Sequence, residues 1–182
     1  MIDLFKRYLI NLYKDIPESV FEGLLSAFCL GALVLITFKG FRKGIRFSAA
    51  LLAIEYVVLI YCATVFFREY SESVGYDFTP FWSYKAIING NDDLLADNIM
   101  NLVVFVPVGL LLNCVSRRMK WWMVLLIGFV ISVSIETLQY FFHKGFSEFD
   151  DVFHNTLGCA IGIMMVAIIK GLWLLQKKYL MN

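Results

Sequence analysis

The stretch WWMVLLIGFVISVSIETLQYFF, Trp121 to Phe142, carries one ionisable carboxylate, Glu136, in an otherwise apolar run. An α-helix needs about 20 apolar residues to cross a hydrocarbon core, so this run reads as a membrane span. A carboxylate at such a depth is costly, and Glu136 is therefore a functional candidate before any partner is named. Working outward, four more stretches have the length and apolarity of spans: Ser19 to Phe38, Phe47 to Phe67, Asn98 to Val115 and Val152 to Leu175. Hydrophobic residues make up 60% of the chain and charged residues 17%. Soluble domains hold roughly 45–50% and about 25%.

The expected fold is all-α, an integral membrane bundle of five transmembrane helices forming a single domain over residues 1–182. In hydrocarbon each isolated segment must satisfy its own backbone groups, and the alternation of a membrane barrel is missing. No internal repeat divides the spans into related halves, which lowers the expectation of a secondary transporter. Lys39, Arg42, Lys43 and Arg46 fill the first loop, Arg117, Arg118 and Lys120 the third, and Lys170, Lys177 and Lys178 the final segment. By the positive-inside rule these face the cytoplasm, so the N terminus is expected outside and the C terminus inside a cell membrane.

The first sixteen residues lack the apolar core and cleavage site of a signal peptide and are expected to stay attached. Leu4, Phe5, Tyr8, Leu9, Leu12 and Ile16 recur at helical spacing with Lys6, Arg7 and Lys14 between them, which predicts an N-terminal interfacial helix. The long segment Arg68 to Asp97, expected outside, contains Tyr70, Tyr76, Phe78, Phe81, Trp82 and Tyr84. Aromatic rings favour the headgroup level, and they suit either a flap over a site or an aromatic belt without a ligand. Cys29, Cys62, Cys114 and Cys159 fall in or beside apolar spans without paired spacing, so they read as packing residues.

Three spans carry polar groups toward one end. Asn98 and Asn101 share a helix face at i and i+3, and Pro107 interrupts the same helix. Glu136, Gln139 and Tyr140 stand at i, i+3 and i+4. Asp151, Asn155, Gly158 and Gly162 form a polar stripe that becomes a small-residue stripe, along which another helix can approach closely. At about 1.5 Å rise per residue, Asn101, Glu136 and Asn155 lie within roughly 10 Å of the same boundary, so a shared pocket is expected, with Asn101 beside Glu136. Asp150 and His154, four residues apart, are candidate metal ligands, although acidic residues at a helix N terminus also answer its dipole. Glu55 sits in the second span without an evident partner, Arg68 being one possibility. No cofactor motif, phosphate loop, nucleophile–base pair or nucleic-acid motif is recognisable.

At these residues the chain resembles the VanZ-like family, small multi-span membrane proteins named after a teicoplanin-resistance protein. Asn101, Phe105, Pro107 and Gly109 fit its N-x-x-x-F-x-P-x-G signature, and Pro80 with Phe81 resembles the Pro-Phe pair before it. Glu136 and Gln139 fit its E-x-x-Q helix. Asp150, Asp151, Asn155, Thr156, Gly158 and Gly162 fit its closing D-D-x-x-x-N-T-x-G-x-x-x-G. The family often has an Arg shortly before the acidic cluster and an Asp where Glu148 stands; here the neighbours are Lys144, Gly145 and Phe146. The resemblance implies a membrane bundle linked to lipoglycopeptide resistance.

The expected ligand-binding residues are Asn98, Asn101, Glu136, Gln139, Asp150, Asp151 and Asn155. Three readings remain open at this point. A binding protein would receive a lipoglycopeptide or a lipid-linked cell-wall precursor from the membrane. An enzyme acting on a lipid headgroup would use Glu136 or Asp151 as acid or base. A proton-coupled lipid transporter would protonate Glu136.

Overall fold

Backbone amides in hydrocarbon have no water to bond, and the chain meets that requirement with helices. The structure, a computed structural model, describes residues 10, 13–39, 41–72, 75–115 and 119–180. Its long helices are α1 (Glu18–Lys39), α2 (Phe41–Tyr61), α4 (Asp93–Val115), α5 (Trp121–Phe142) and α6 (Phe149–Leu180). These five are long and apolar enough to cross a membrane, as the hydropathy pattern predicts. Their outward faces carry exposed Leu25, Leu33, Leu126, Val130, Ile168 and Leu172, the surface that lipid contact favours.

The bundle centres on α4 and α6, which run in the same direction. A Cβ on Gly158 would overlap the Leu102 carbonyl, one on Gly162 the Val106 carbonyl, and one on Gly109 the Cys159 carbonyl. The two backbones therefore touch along the small-residue stripe. α5 runs the opposite way across the same seam, with Gly128 over the Cys159 side chain and Cys159 Sγ directed at the Val124 carbonyl at 3.7 Å. Ile60, Val65, Val104, Phe105, Val108 and Ile135 form the main apolar core between α2, α4 and α5. Pro107 lies inside α4, and Tyr56 donates to the Val104 carbonyl in the turn before it at 2.8 Å.

Gly158→Ala is expected to force α4 and α6 apart, because its Cβ would meet backbone that cannot rotate away. Overpacking of this kind costs about 1–3 kcal/mol, read as a lowered thermal midpoint in detergent. Gly171→Ala, in open space on the same helix, is the matched control and should leave that midpoint unchanged or slightly raised, since Ala favours the helix.

Two departures from the expected span boundaries matter for the site. The helix α2 continues into a wider π-helical turn, Cys62–Phe66, so the chain reaches Arg68 while still packed on the bundle. α4 begins at Asp93, before the apolar run, so the Asp97–Asn101 turn is helical. The segment between α2 and α4 has structure of its own. A strand β1 (Gly75–Asp77) pairs in parallel with β2 (Phe146–Glu148), and a short helix α3 (Trp82–Ile88) follows. Its rings pack on the bundle end: Tyr76 and Phe78 on Tyr140, Phe81 on Phe149 and Phe153, Trp82 on Phe146.

Most of the predicted interfacial helix, including Leu4, Phe5, Tyr8, Leu9 and Leu12, lies outside the described residues. Ile16, at its end, is buried against Cys62 and Ala63, with Tyr13 beside it. The start of α1 and the end of α2 thus share one end of the bundle.

Candidate functional site

The parallel pair α4–α6 and the antiparallel α5 bring two helix N-termini and one C-terminal turn to the same end. There they enclose a cavity of about 240 Å³. Asn98, Asn101, Glu136, Gln139, Asp151 and Asn155, which the sequence assigns to one pocket, all line it. Asp97 joins them from α4, Glu148 from β2, and Thr64 and Arg68 from the end of α2. Four carboxyl groups and one guanidinium therefore line the same cavity.

Glu136 is 6% exposed, and its Oε2 accepts the Glu148 amide at 3.0 Å. The contact follows from a tight reversal after α5. His143 takes a left-handed conformation at φ 54, Gly145 follows at φ 132, and β2 returns alongside the helix it left. Ser147 Oγ donates to the Glu136 carbonyl at 3.0 Å, fixing that return. The Arg68 guanidinium lies against Gly145, at the site a Cβ would occupy, and Lys144 Nζ donates to the Arg68 carbonyl at 2.7 Å. The end of the second span thus supplies a guanidinium beside residue 145, where the adjacent sequence has Lys144 and no arginine.

The amides are turned in a consistent sense. Asn101 Nδ2 donates to Asp151 Oδ1 at 2.6 Å, Gln139 Nε2 to the Thr64 carbonyl at 3.1 Å, Asn98 Nδ2 to Ser83 Oγ at 3.1 Å and Asn155 Nδ2 to Ser132 Oγ at 2.9 Å. Each amide nitrogen is directed at a protein acceptor. Gln139 Oε1, in a side chain 3% exposed, has no partner. The sequence expects Asn101 beside Glu136, whereas its hydrogen bond goes to Asp151, because the parallel packing of α4 and α6 sets those two face to face.

Asp150 does not line the cavity. It is fully buried on the other side of the α6 N-terminus, accepting from the Phe81 amide at 2.6 Å, the Ser83 amide at 2.9 Å and Ser83 Oγ at 2.5 Å. Its neighbour in the metal expectation, His154, pairs its Nε2 with the Tyr84 hydroxyl at 2.8 Å. Both are engaged in holding α3, and among the described residues no group of three or more His, Cys, Asp and Glu converges as metal ligands would. Glu55 lies away from the cavity with one oxygen buried and unpartnered.

Outside the spans, burial first and then the Asp151 charge push the Glu148 carboxyl up to about 8, against the lowering effect of the Trp82 indole N–H at 3.0 Å. The folded protein then holds a proton that the unfolded chain releases above the ordinary 4.5. Stability from this group is complete below that value and is lost as pH rises toward about 8. Asp97, Glu136, Asp151 and Arg68 face the same space. The thermal midpoint in detergent is expected to fall across this window, and Glu148→Gln to flatten the fall. An unchanged slope in the variant would contradict this assignment.

A second, apolar groove of about 310 Å³ shares Glu136 and Glu148 with the cavity. It follows the α5–α6 seam along Phe129, Val133, Tyr140, Phe149 and Val152, with Phe78 of the segment after β1 beside it. A polar chamber and an apolar channel thus meet at two carboxylates.

A family model described as VanZ/LLP1 matches residues 53–170, from the middle of α2 through most of α6. "Protein VanZ" of Enterococcus faecium is 30% identical to this chain over 70 residues, which are 38% of this chain and 44% of that protein. The chain thus spans less than half of that relative. No solved structure matches.

Proposed function

The chain belongs to the VanZ/LLP1 family, and from that premise we propose that it is a membrane binding protein that receives the polar head of a lipid-bearing molecule in the α4–α5–α6 cavity. The observation that carries this reading is the shared wall: Glu136 and Glu148 border both the polar cavity and the apolar groove. An amphiphile needs both surfaces at once, hydrogen bonds for its head and a dry channel for its chain. The candidates are a lipoglycopeptide antibiotic of the teicoplanin type, by the link that the VanZ name carries, and a lipid-linked cell-wall precursor. The cavity faces the outer leaflet in this reading, supported by the basic residues Arg46, Lys120, Lys170, Lys177 and Lys178 at the opposite ends of the spans.

The test is teicoplanin susceptibility of a sensitive host expressing the full chain. Wild type is expected to raise the inhibitory concentration, and Glu136→Gln to return it to the empty-vector value at equal membrane abundance. Protection that persists in the variant would detach the phenotype from the cavity.

A further inference from the structure

Resting on the reading that the cavity holds an amphiphile's head, we propose that the head it selects is a primary ammonium, received by Glu136, Asp151 and the Gln139 carbonyl oxygen, with Arg68 as the internal counter-ion it displaces. The first observation is composition: four carboxyl groups, Asp97, Glu136, Glu148 and Asp151, line the cavity with a single guanidinium. The second is hydrogen-bond inventory. The amide nitrogens of Asn98, Asn101, Gln139 and Asn155 each already give one hydrogen bond to a protein acceptor, while Gln139 Oε1 is buried without a donor.

Gln139 Oε1 and the carboxyl oxygens thus give the chamber acceptor capacity that a donor-rich head can fill. An ammonium has three donors and no acceptor, and it fills that capacity. A phosphate has only acceptors or acidic hydroxyls, and it would meet repulsion from the carboxylates with Arg68 alone to bind it. Arg68 is suited to leave, because its residue is exposed and its head rests on Gly145.

The test is binding to the full chain in nanodiscs of zwitterionic lipid. The probes are dodecylammonium, dodecyl glucoside and dodecyl phosphate, which share a tail and differ in head. Dodecylammonium is expected to saturate one site per chain, about tenfold tighter than either other probe. Glu136→Gln and Asp151→Asn, both isosteric, should each weaken it about thirtyfold or more, while Arg68→Gln should tighten it. Variants are compared at unchanged thermal midpoints, and Gln139→Leu provides a further arm that removes an acceptor without touching charge.

Dodecyl phosphate binding as tightly as the amine, and lost in Arg68→Gln, would overturn the ammonium assignment and leave the amphiphile reading standing. Equal binding of the glucoside would overturn the charge requirement alike. If no probe binds in a way the variants alter, both the assignment and the reading beneath it fail.

Discussion

Glu136→Gln is expected to remove ligand binding while leaving the bundle folded. Gln has nearly the same shape as Glu and keeps a carbonyl oxygen to accept the Glu148 amide, so the β2 return onto α5 survives. What disappears is the ionisable carboxyl at the wall between cavity and groove, and with it the charge that it can offer a cationic head. Truncating one partner of a buried charged contact costs about 2–5 kcal/mol, which corresponds to a loss of affinity of roughly thirtyfold or more. Abundance and thermal midpoint should match wild type. Asp151→Asn is expected to act in the same direction, since Asn retains the oxygen that accepts from Asn101. Asn101→Leu is then less than additive with Asp151→Ala, because each removes the one hydrogen bond that the two side chains share.

The largest structural effect is expected at the neighbouring carboxylate. Asp150→Ala removes the acceptor for the Phe81 and Ser83 amides and the Ser83 hydroxyl at once. Hydrogen bonds to a charged group contribute about 1.5–3 kcal/mol each, and the stranded donors are costly in a buried place. Three such bonds sum to about 5 kcal/mol or more, enough to release α3 from the bundle. Amide hydrogen exchange should rise sharply over Trp82–Ile88, with a lowered thermal midpoint. Phe81 holds a left-handed backbone at φ 61 with its amide on Asp150, so its conformation should relax as well. Asp150→Asn, which keeps one acceptor oxygen, should fall between. A midpoint equal to wild type in Asp150→Ala would show that this carboxylate does not anchor the segment.

The contrast between Asp150 and Asp151 marks where sequence reading stops. Adjacent residues at a helix start point to different sides, and only the three-dimensional path of the Arg68–Asp97 segment decides which carboxylate is a tether. The spans were legible because hydrocarbon demands continuous apolar runs, and Trp121–Phe142 has the same bounds in sequence and structure. The shared pocket was legible from polar residues at matched depth on three helices. Its partners were less so. The hydrogen bond of Asn101 goes to Asp151, because helix rotation and the parallel α4–α6 contact are set by glycines whose effect requires coordinates.

Arg68, Asp97 and Glu148 come from outside the predicted polar faces. Arg68 did have a signal: it is the lone basic residue between Arg46 and Lys85, at the end of an apolar run and next to an acidic segment. Glu148 stands at an acidic position of the family resemblance, but its approach to Glu136 was not legible, since that depends on the reversal at His143 and Gly145 and on the pairing of β1 with β2. A parallel pair between segments so distant in sequence has no local signature.

The central claim is that α4, α5 and α6 form one chamber for the head of a membrane amphiphile. Electron cryo-microscopy of the full chain in nanodiscs with a saturating lipid-bearing ligand tests it most directly. The account predicts head density bounded by Glu136, Gln139 and Asp151, running past Glu148 into the groove beside Val133 and Val152. Density confined to the outer faces of the bundle, with the chamber holding water alone, would contradict it.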